Sequence, residues 1–496
     1  MNIISRYIRE QKRYSKEDLK TIFALDNDSF TNFVKDLKAC GVLKVVKNTS
    51  EQKNLSDLID EDVEIVDFDF NNDDYFYVFT YVGVLVVKNI VIKCYPKYIL
   101  SKEEPLEELK EVLKVISKYN SNEQQIINLY NGYDNEKKFN FLAISLYLLN
   151  DYNDNGLYTS QQDIVETNGE GEILWDRTIN DTFAIIVHRR PFYTELQTLN
   201  VINDETDYIT RLHKFILTDC CRKLKKANLL DLFEIEEIDI SDEEEEFFGE
   251  KDYILYRLER ELNVQFITQK QILLKTLYTY IAHNQSFMDD LDLSLYGTNS
   301  FNMVWEKACA QVFDNKLSTK LKNLNLPKDL HMDYANKKNS TLLEIINKPL
   351  WIPIGFENDF HEAKHTLTPD LISIYEVKEG MCFGIFDAKY YNILLNKENV
   401  LNQPGVGDIT KQYLYQLAYN DFIQKHGFVS IINSFLMPTE KESSELIGEA
   451  KMEILEGLSN PPLINILVVK LFARKIYKHY LSGKKLDINK EFEFYR

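Results

Sequence analysis

The tightest constraint in this chain is a pair of apolar runs with charge at their matching ends. The first opens at Thr368-Pro369-Asp370, and the second, Phe383-Gly384-Ile385-Phe386-Asp387-Ala388-Lys389-Tyr390-Tyr391, closes on Asp-x-Lys. Between them, Lys378-Glu379-Gly380 is a turn signal. If the runs form a hairpin, its midpoint falls between Lys378 and Glu379, and Asp370 lies opposite Asp387. Side chains alternate along a strand, so Asp387 and Lys389 share one face. Met381 to Phe386 is almost wholly apolar, which predicts a strand buried on both faces. A buried Asp or Lys is costly unless it is paired or bound to a metal. Two carboxylates and an ammonium then converge on one point, the arrangement that metal-assisted hydrolysis of a phosphodiester needs.

Asp-x-Lys alone is a weak signal. Glu136-Lys-Lys138, Asp314-Asn-Lys316, Glu362-Ala-Lys364 and Glu449-Ala-Lys451 are similar, but none follows an apolar strand with a matching Pro-Asp upstream. Glu376-Val-Lys378 follows Asp370 too closely for the chain to fold back between them. Two further elements fit. Ser300 to Phe313 has the pattern of an amphipathic helix, with Phe301, Val304, Trp305, Ala308 and Val312 near one face. Glu306 lies beside that stripe, as a site acid or a solvated helix residue. Downstream, Asp408 is placed to cap a helix over Ile409–Asn420. Gln412 and Gln416 are four apart and share a helix face, as site groups or as surface polar residues.

The order helix with Glu, Pro-Asp, Asp-Ala-Lys, helix with Gln resembles a PD-(D/E)XK nuclease core. Gly169-Glu-Gly-Glu-Ile-Leu-Trp-Asp-Arg-Thr-Ile179, followed by Pro191-Phe-Tyr-Thr-Glu-Leu-Gln-Thr198, is similar to the region before the nuclease in LlaJI-type and McrC-type restriction subunits. Phe79-Thr-Tyr-Val-Gly-Val-Leu85 with Cys94-Tyr-Pro-Lys-Tyr98 resembles the LlaJI-type amino-terminal region. The resemblance implies a type II/IV-like restriction endodeoxyribonuclease subunit, acting in phage defence on double-stranded DNA. It implies Mg²⁺ as cofactor, with Asp370, Asp387 and Glu306 as acidic ligands. Lys389 resembles the lysine that positions the attacking water. Gln416 resembles the glutamine near the scissile phosphate, with Gln412 as the competing choice. The implied partners are a separate McrB-like GTPase of the AAA+ class and a DNA methyltransferase of the same system. This chain lacks the motor's motif: its Gly483-Lys484 pair has Lys478 where a P-loop's first Gly belongs. The same fold without activity, as a binding or scaffold subunit, is the alternative, although a scaffold needs none of Asp370, Asp387 and Lys389.

His361-Glu-Ala-Lys-His365 matches the His-Glu-x-x-His signature of zinc peptidases, a third reading. On a helix, both imidazoles would share a face. Thr366-Leu-Thr-Pro369 ends any such helix within a turn, and Leu371 stands where a third His six residues past His365 would be. A polar loop or short helix is the expected structure.

A chain of 496 residues with 44% hydrophobic residues predicts several domains with sizeable cores. The sequence suggests a multidomain α+β architecture: a winged-helix-like module over 1–50, a β-rich and helical region over 51–150, a mainly helical region over 151–290, and an α/β nuclease domain over 291–496. In the first, Ser15-Lys-Glu-Asp18 is a capping-box-like start, a second helix runs from about Ser29 to Cys40, and Val42–Val46 is a strand. Strands are expected over 62–100, a helix over 105–119, and a turn-rich break over 150–156. No secretory signal is evident, Phe76 to Val87 is too short to span a bilayer, and the six cysteines form no Cys-x-x-Cys, so a cytoplasmic protein without membrane partners is expected. The net charge of −20 is unusual for a DNA binder. Twelve acids and one lysine crowd into Asp231–Asp252, most simply a solvated loop. The tail carries Arg474, Lys475, Lys478, Lys484 and Lys485, placed to line DNA.

Overall fold

Period-two and period-3.6 apolar patterns alternate along this chain and build a mixed α/β protein. The computed structural model describes residues 3–47, 75–121, 140–204, 207–283, 294–355, 359–455 and 462–492. The chain divides into two compact units: Leu129–Leu295 with Met1–Ile3, and Ile4–Asn128 with Tyr296–Arg496. The strand pattern expected over 62–74 lies outside the described residues.

The second unit carries a five-stranded sheet in the order Leu371–Val377, Gly380–Ala388, Ser430–Thr439, Ile466–Phe472, Glu445–Ala450. Its first pair is antiparallel, with Leu371 opposite Phe386 and Val377 opposite Gly380, so the turn centres between Lys378 and Glu379. The next two pairings are parallel, and the last is antiparallel. A parallel neighbour needs a crossover. The helix Val406–His426 supplies it between Gly380–Ala388 and Ser430–Thr439. From Cys382 to Ala388 every residue is buried, because apolar groups cover both faces. Phe383 packs on Tyr419 of the crossover helix at 5.2 Å between ring centroids. Phe386, on the opposite face, packs on Phe313, just past the helix Phe301–Val312, at 5.6 Å. That helix buries Phe301, Val304, Trp305, Ala308, Cys309 and Val312.

The same unit begins with a short helical module. Ser15 caps the helix Lys16–Phe23, and Asp18 returns the bond to the Ser15 N–H at 2.9 Å, completing a capping box with Asp in the Glu position. A second helix covers Asn27–Ala39, and a three-stranded sheet runs in the order Arg13–Tyr14, Tyr75–Phe79, Leu43–Lys47. A four-stranded sheet follows in the order Ile4–Arg9, Ile90–Tyr95, Val82–Val87, Ser294–Thr298. Two backbones meet closely in it: a Cβ on Gly83 would come 2.2 Å from the Tyr296 carbonyl oxygen, and Gly83 has φ +144°.

The first unit holds the helices Phe141–Asn155, Tyr208–Lys226, Lys251–Val264 and Thr268–His283. Three expectations need correction here. The region over 151–290 is mainly helical only from Tyr208 onward: before it, around the short helix Trp175–Asp181, Ser160–Thr167, Gln197–Asp204 and Glu172–Ile173 form an antiparallel sheet, and Ala184–Val187 pairs with Arg190–Tyr193. Alternation such as Leu199-Asn-Val201 is a strand pattern. The turn-rich stretch over 150–156 does not break the chain until Gly156, the C-cap of Phe141–Asn155, since Asn and Asp are tolerated in a helix whose other face is buried. The acidic run is not a free loop either. Ile238 N–H donates to Cys221 Sγ at 3.1 Å, Ile240 N–H to Thr218 Oγ1 at 3.1 Å, and Ile235, Ile238 and Phe248 are buried. The run is a strap along Tyr208–Lys226, with Glu243 paired to Arg211 and Glu237 to Lys225 of that helix and most of its other acids exposed.

Among the described residues no helix is long and apolar enough to cross a membrane. Gly83→Ala should lower stability by more than about 1 kcal/mol, because both φ and space forbid a Cβ. Urea unfolding checks this, and an unchanged midpoint would mean that the strands part at that point.

Candidate active site

The end of the buried strand is where charge collects. One register step beyond Leu371 and Phe386, Asp370 stands opposite Asp387. Ala388 N–H donates to Asp370 Oδ2 at 2.9 Å, and the Asn315 side-chain amide donates to the Asp370 carbonyl at 3.2 Å. Asp387 is only 5% exposed. Burial, and then hydrogen bonding and repulsion from the Asp370 carboxylate, push its pKa up to about 8, against the opposing pull of Lys389. Lys389 Nζ lies 3.1 Å from Asp387 Oδ2 and 3.0 Å from Asp408 Oδ1. Burial alone would lower the Lys389 ammonium, but the two carboxylates outweigh it and hold it above its usual value.

Asp408 is therefore not a helix cap. The helix starts at Val406 after Gly405, and Asp408 sits in its first turn, turned toward Lys389. The missed signal was spacing: Asp408, Gln412 and Gln416 recur every four residues and share one face. Neither Gln is a surface residue; both are fully buried. Gln416 Nε2 donates to the Pro462 carbonyl at 3.4 Å, and its Oε1 accepts from Ile464 N–H at 3.2 Å. Gln412 Nε2 reaches the Ser434 carbonyl at 3.4 Å, while its Oε1 is buried without a partner. Glu306 is half-buried and faces the pair: burial raises its carboxyl, Lys389 lowers it, and Asp387 raises it. Tyr415 faces the same pair. Burial, with the Asp387 and Asp370 carboxylates, pushes it up to about 12, and its hydroxyl donates to the Thr368 carbonyl at 3.0 Å.

Two ties fix the strand end. Lys389 N–H and Trp305 Nε1–H both donate to the Leu436 carbonyl, each at 3.0 Å. The Tyr390 hydroxyl donates to Glu10 Oε2 at 2.5 Å, which also accepts from Lys97 N–H at 3.2 Å. The Lys97 ammonium lies 4.8 Å from the Tyr390 ring centroid. The Cys94-Tyr-Pro-Lys-Tyr98 segment thus buttresses the residue next to Lys389.

The donor set suits a hard divalent cation. Asp370 and Asp387 offer oxygen only, and the raised Asp387 carboxyl marks a buried pair short of positive charge. Among the described residues no group of three His, Cys, Asp or Glu side chains closes into a ligand set, so Glu306 stands outside the immediate pair. Two carboxylates suffice for Mg²⁺, which keeps several waters. The His361–His365 motif forms no zinc site: His361–Glu362 is a short strand paired with Leu350–Trp351, not a helix, so the two imidazoles do not share a helical face.

Residues 81–475 match the LlaJI restriction endonuclease family. The chain belongs to that family. The type II restriction enzyme BsuMI component YdjA of Bacillus subtilis (strain 168) is 28% identical over 428 residues, covering 84% of this chain and 83% of that protein. Among solved structures, a chain of the half-complex from the tetradecameric assembly of Thermococcus gammatolerans McrB AAA+ hexamers with bound McrC aligns at 14% identity with a TM-score of 0.35, covering 97% of this chain and 99% of that one. The McrBC complex of the same organism aligns at 14% identity with a TM-score of 0.24, covering 61% of this chain and 85% of that one. This LlaJI-family chain is thus a restriction-system nuclease subunit.

A carboxyl raised in the fold is better tolerated protonated. Its stabilising contribution is present below the ordinary carboxylate range and is lost as pH rises through about 8. Asp387→Asn, which mimics the protonated acid, should raise the thermal midpoint of metal-free protein at pH 8 by about 2–4 °C and leave it unchanged at pH 4. Equal midpoints at both pH values would refute the raised carboxyl.

Proposed function

We propose that this chain is the DNA-cleaving subunit of a type II/IV-like restriction system, hydrolysing phosphodiester bonds of double-stranded DNA with Mg²⁺. The observation that carries this reading is the junction of Asp370 and Asp387 at the end of a buried strand, with Lys389 Nζ 3.1 Å from Asp387. We read the five-stranded sheet with its two flanking helices as a PD-(D/E)XK core. Asp370 and Asp387 would hold Mg²⁺, which when bound supplies Lewis acidity toward the phosphate and the attacking water. Lys389 adds positive charge where the phosphoryl oxygens gain negative charge, in a site largely closed to water. Asp408 acts through Lys389 as a positioning residue. Glu306, at the edge of the pair, is placed to receive a proton or orient a water. Gln416 spends its amide on the 462–464 segment, so Gln412, with its unmatched oxygen, is the better candidate for a polar contact in the site.

The partner in this reading is an McrB-like GTPase of the AAA+ class. The support is threefold: the resemblance to McrC-type subunits, the relative named as a component of a restriction enzyme, and the lack of a P-loop. A DNA methyltransferase of the same system would protect the host, and phage defence is the setting.

Plasmid cleavage with Mg²⁺, with and without the system's GTPase and GTP, tests the site. Asp387→Ala and Lys389→Ala should each reduce cleavage by at least about 100-fold. Asp408→Asn should lower kcat on the order of 10–100-fold with KM little changed, since it loosens Lys389 without touching DNA. Full cleavage by Asp387→Ala would overturn the assignment; binding of DNA or GTPase without cleavage would establish a scaffold instead.

A further inference from the structure

The segment between the Glu306 helix and the Asp370 strand has a charge opposite to the chain as a whole. Residues 315–348 carry seven lysines and three acids, within a protein of net charge −20. Two stretches of it lie side by side. Lys320 forms a bridge with Thr341, Leu321 N–H donates to the Ser340 carbonyl at 3.0 Å, and Lys322 N–H donates to the Lys338 carbonyl at 3.1 Å. Lys322 is thereby set beside Lys338, with Lys320 two residues before the one and Lys337 next to the other, and all four side chains are exposed. The backbone beneath them is fixed, because Leu317, Leu321, Leu342, Ile345 and Ile346 belong to the core cluster around Phe383 and Tyr419.

Most acids nearby are already engaged. Asp314 binds Lys316 at 2.6 Å and Lys485 at 3.4 Å, Asp333 binds Lys425 at 2.6 Å, and Glu344 accepts from Thr341 N–H at 2.7 Å. Among the described residues, Lys320, Lys322, Lys337 and Lys338 make no ion pair. The basic tail differs: Arg474 is paired with Glu111, Lys475 with Glu491 and Lys485 with Asp314, so those three are spent inside the protein rather than free to line DNA. Lys320, at the near end of this surface, is tethered close to the candidate site. The Asn315 side chain is tied to the Asp370 carbonyl at 3.2 Å and to Ile372 N–H at 3.1 Å. Five residues of extended chain span at most about 17 Å, which is about half a turn of B-DNA.

We propose that Lys320, Lys322, Lys337 and Lys338 form a rigid surface that holds the phosphate backbone of duplex DNA on the flank of the Asp370–Asp387 pair. This rests on the nuclease reading and adds where the duplex lies. The surface explains how so acidic a chain engages a polyanion: attraction is local, at a cluster of lysines without ion pairs. Contacts of this kind position a duplex without reading its sequence.

The test is binding of a 30-base-pair duplex, by fluorescence anisotropy in EDTA across 50–200 mM KCl. The full chain is compared with K320A/K322A/K337A/K338A, the matching quadruple Arg variant, and Asp387→Ala. Each phosphate contact contributes about 0.9 to the slope of log affinity against log salt. The quadruple Ala variant should lose about 2–4 from that slope and bind about 10–1000-fold more weakly, whatever the DNA sequence. The Arg variant should bind as wild type does, and unchanged thermal midpoints of the Ala and Arg variants exclude unfolding. An Ala variant with wild-type slope and affinity overturns the proposal, as does a wild-type chain that fails to bind at 50 mM KCl. Unchanged DNA binding with an altered sedimentation coefficient also overturns it and assigns the surface to a protein partner. If Asp387→Ala cuts plasmid normally, the catalytic reading falls while the salt slope still decides the surface.

Discussion

One carboxylate that water cannot reach, Asp387, governs the arrangement around it. It ends a strand buried from Cys382 to Ala388, and its nearest neighbour across the hairpin is a second acid, Asp370. Burying such a group unpaired is among the most expensive things a fold can do. Lys389 is the local answer, but its ammonium is shared with Asp408, so the pair keeps a deficit of positive charge. A closed structural salt bridge would balance its charges; this cluster of three Asp carboxylates and one Lys does not. The excess negative charge is what makes the strand end fit to hold a cation, at a cost in stability while none is bound.

The sheet around it follows from the same constraint. A strand covered on both faces needs elements on each side, and alternation assigns them. Phe383, Ile385 and Asp387 face the crossover helix with Tyr415, Tyr419 and Asp408. Phe386 faces the end of the Glu306 helix. The parallel pairing with Ser430–Thr439 brings Leu436 beside Lys389, where one carbonyl takes bonds from Lys389 N–H and Trp305. The Glu10–Tyr390 bond adds a brace from a residue 380 positions away in sequence.

Much of this was legible beforehand because it is local. A two-residue period, a Gly380 turn and matched charges gave the hairpin register to the residue, and Ser15 with Asp18 gave a capping box. What was not legible depended on partners distant in sequence. Asp408 looked like a cap because its own neighbourhood begins a helix; only the folded Lys389 reveals the other use. Gln412 and Gln416 read equally as site groups or surface residues, because nothing local announces that Ser434 and Pro462 lie over them. The strands over 160–204 were hidden among polar residues whose alternation is weak. The acidic strap reads as a loop in sequence because Ile235, Ile238 and Phe248, the side chains that bind it down, are few among many acids.

Charge in this family member is best understood locally. At physiological salt the Debye length is about 8 Å, so the acids of Asp231–Asp252 do not cancel lysines that lie farther away than that. Bulk charge governs long-range encounter, and here it opposes approach to DNA. Local charge governs what happens once a duplex is in contact, and the 315–348 segment favours it. Under the proposed function, that combination suits a nuclease acting on DNA brought to it. The acidic pair's deficit of positive charge fits the same proposal, because metal and substrate together would complete its electrostatic complement.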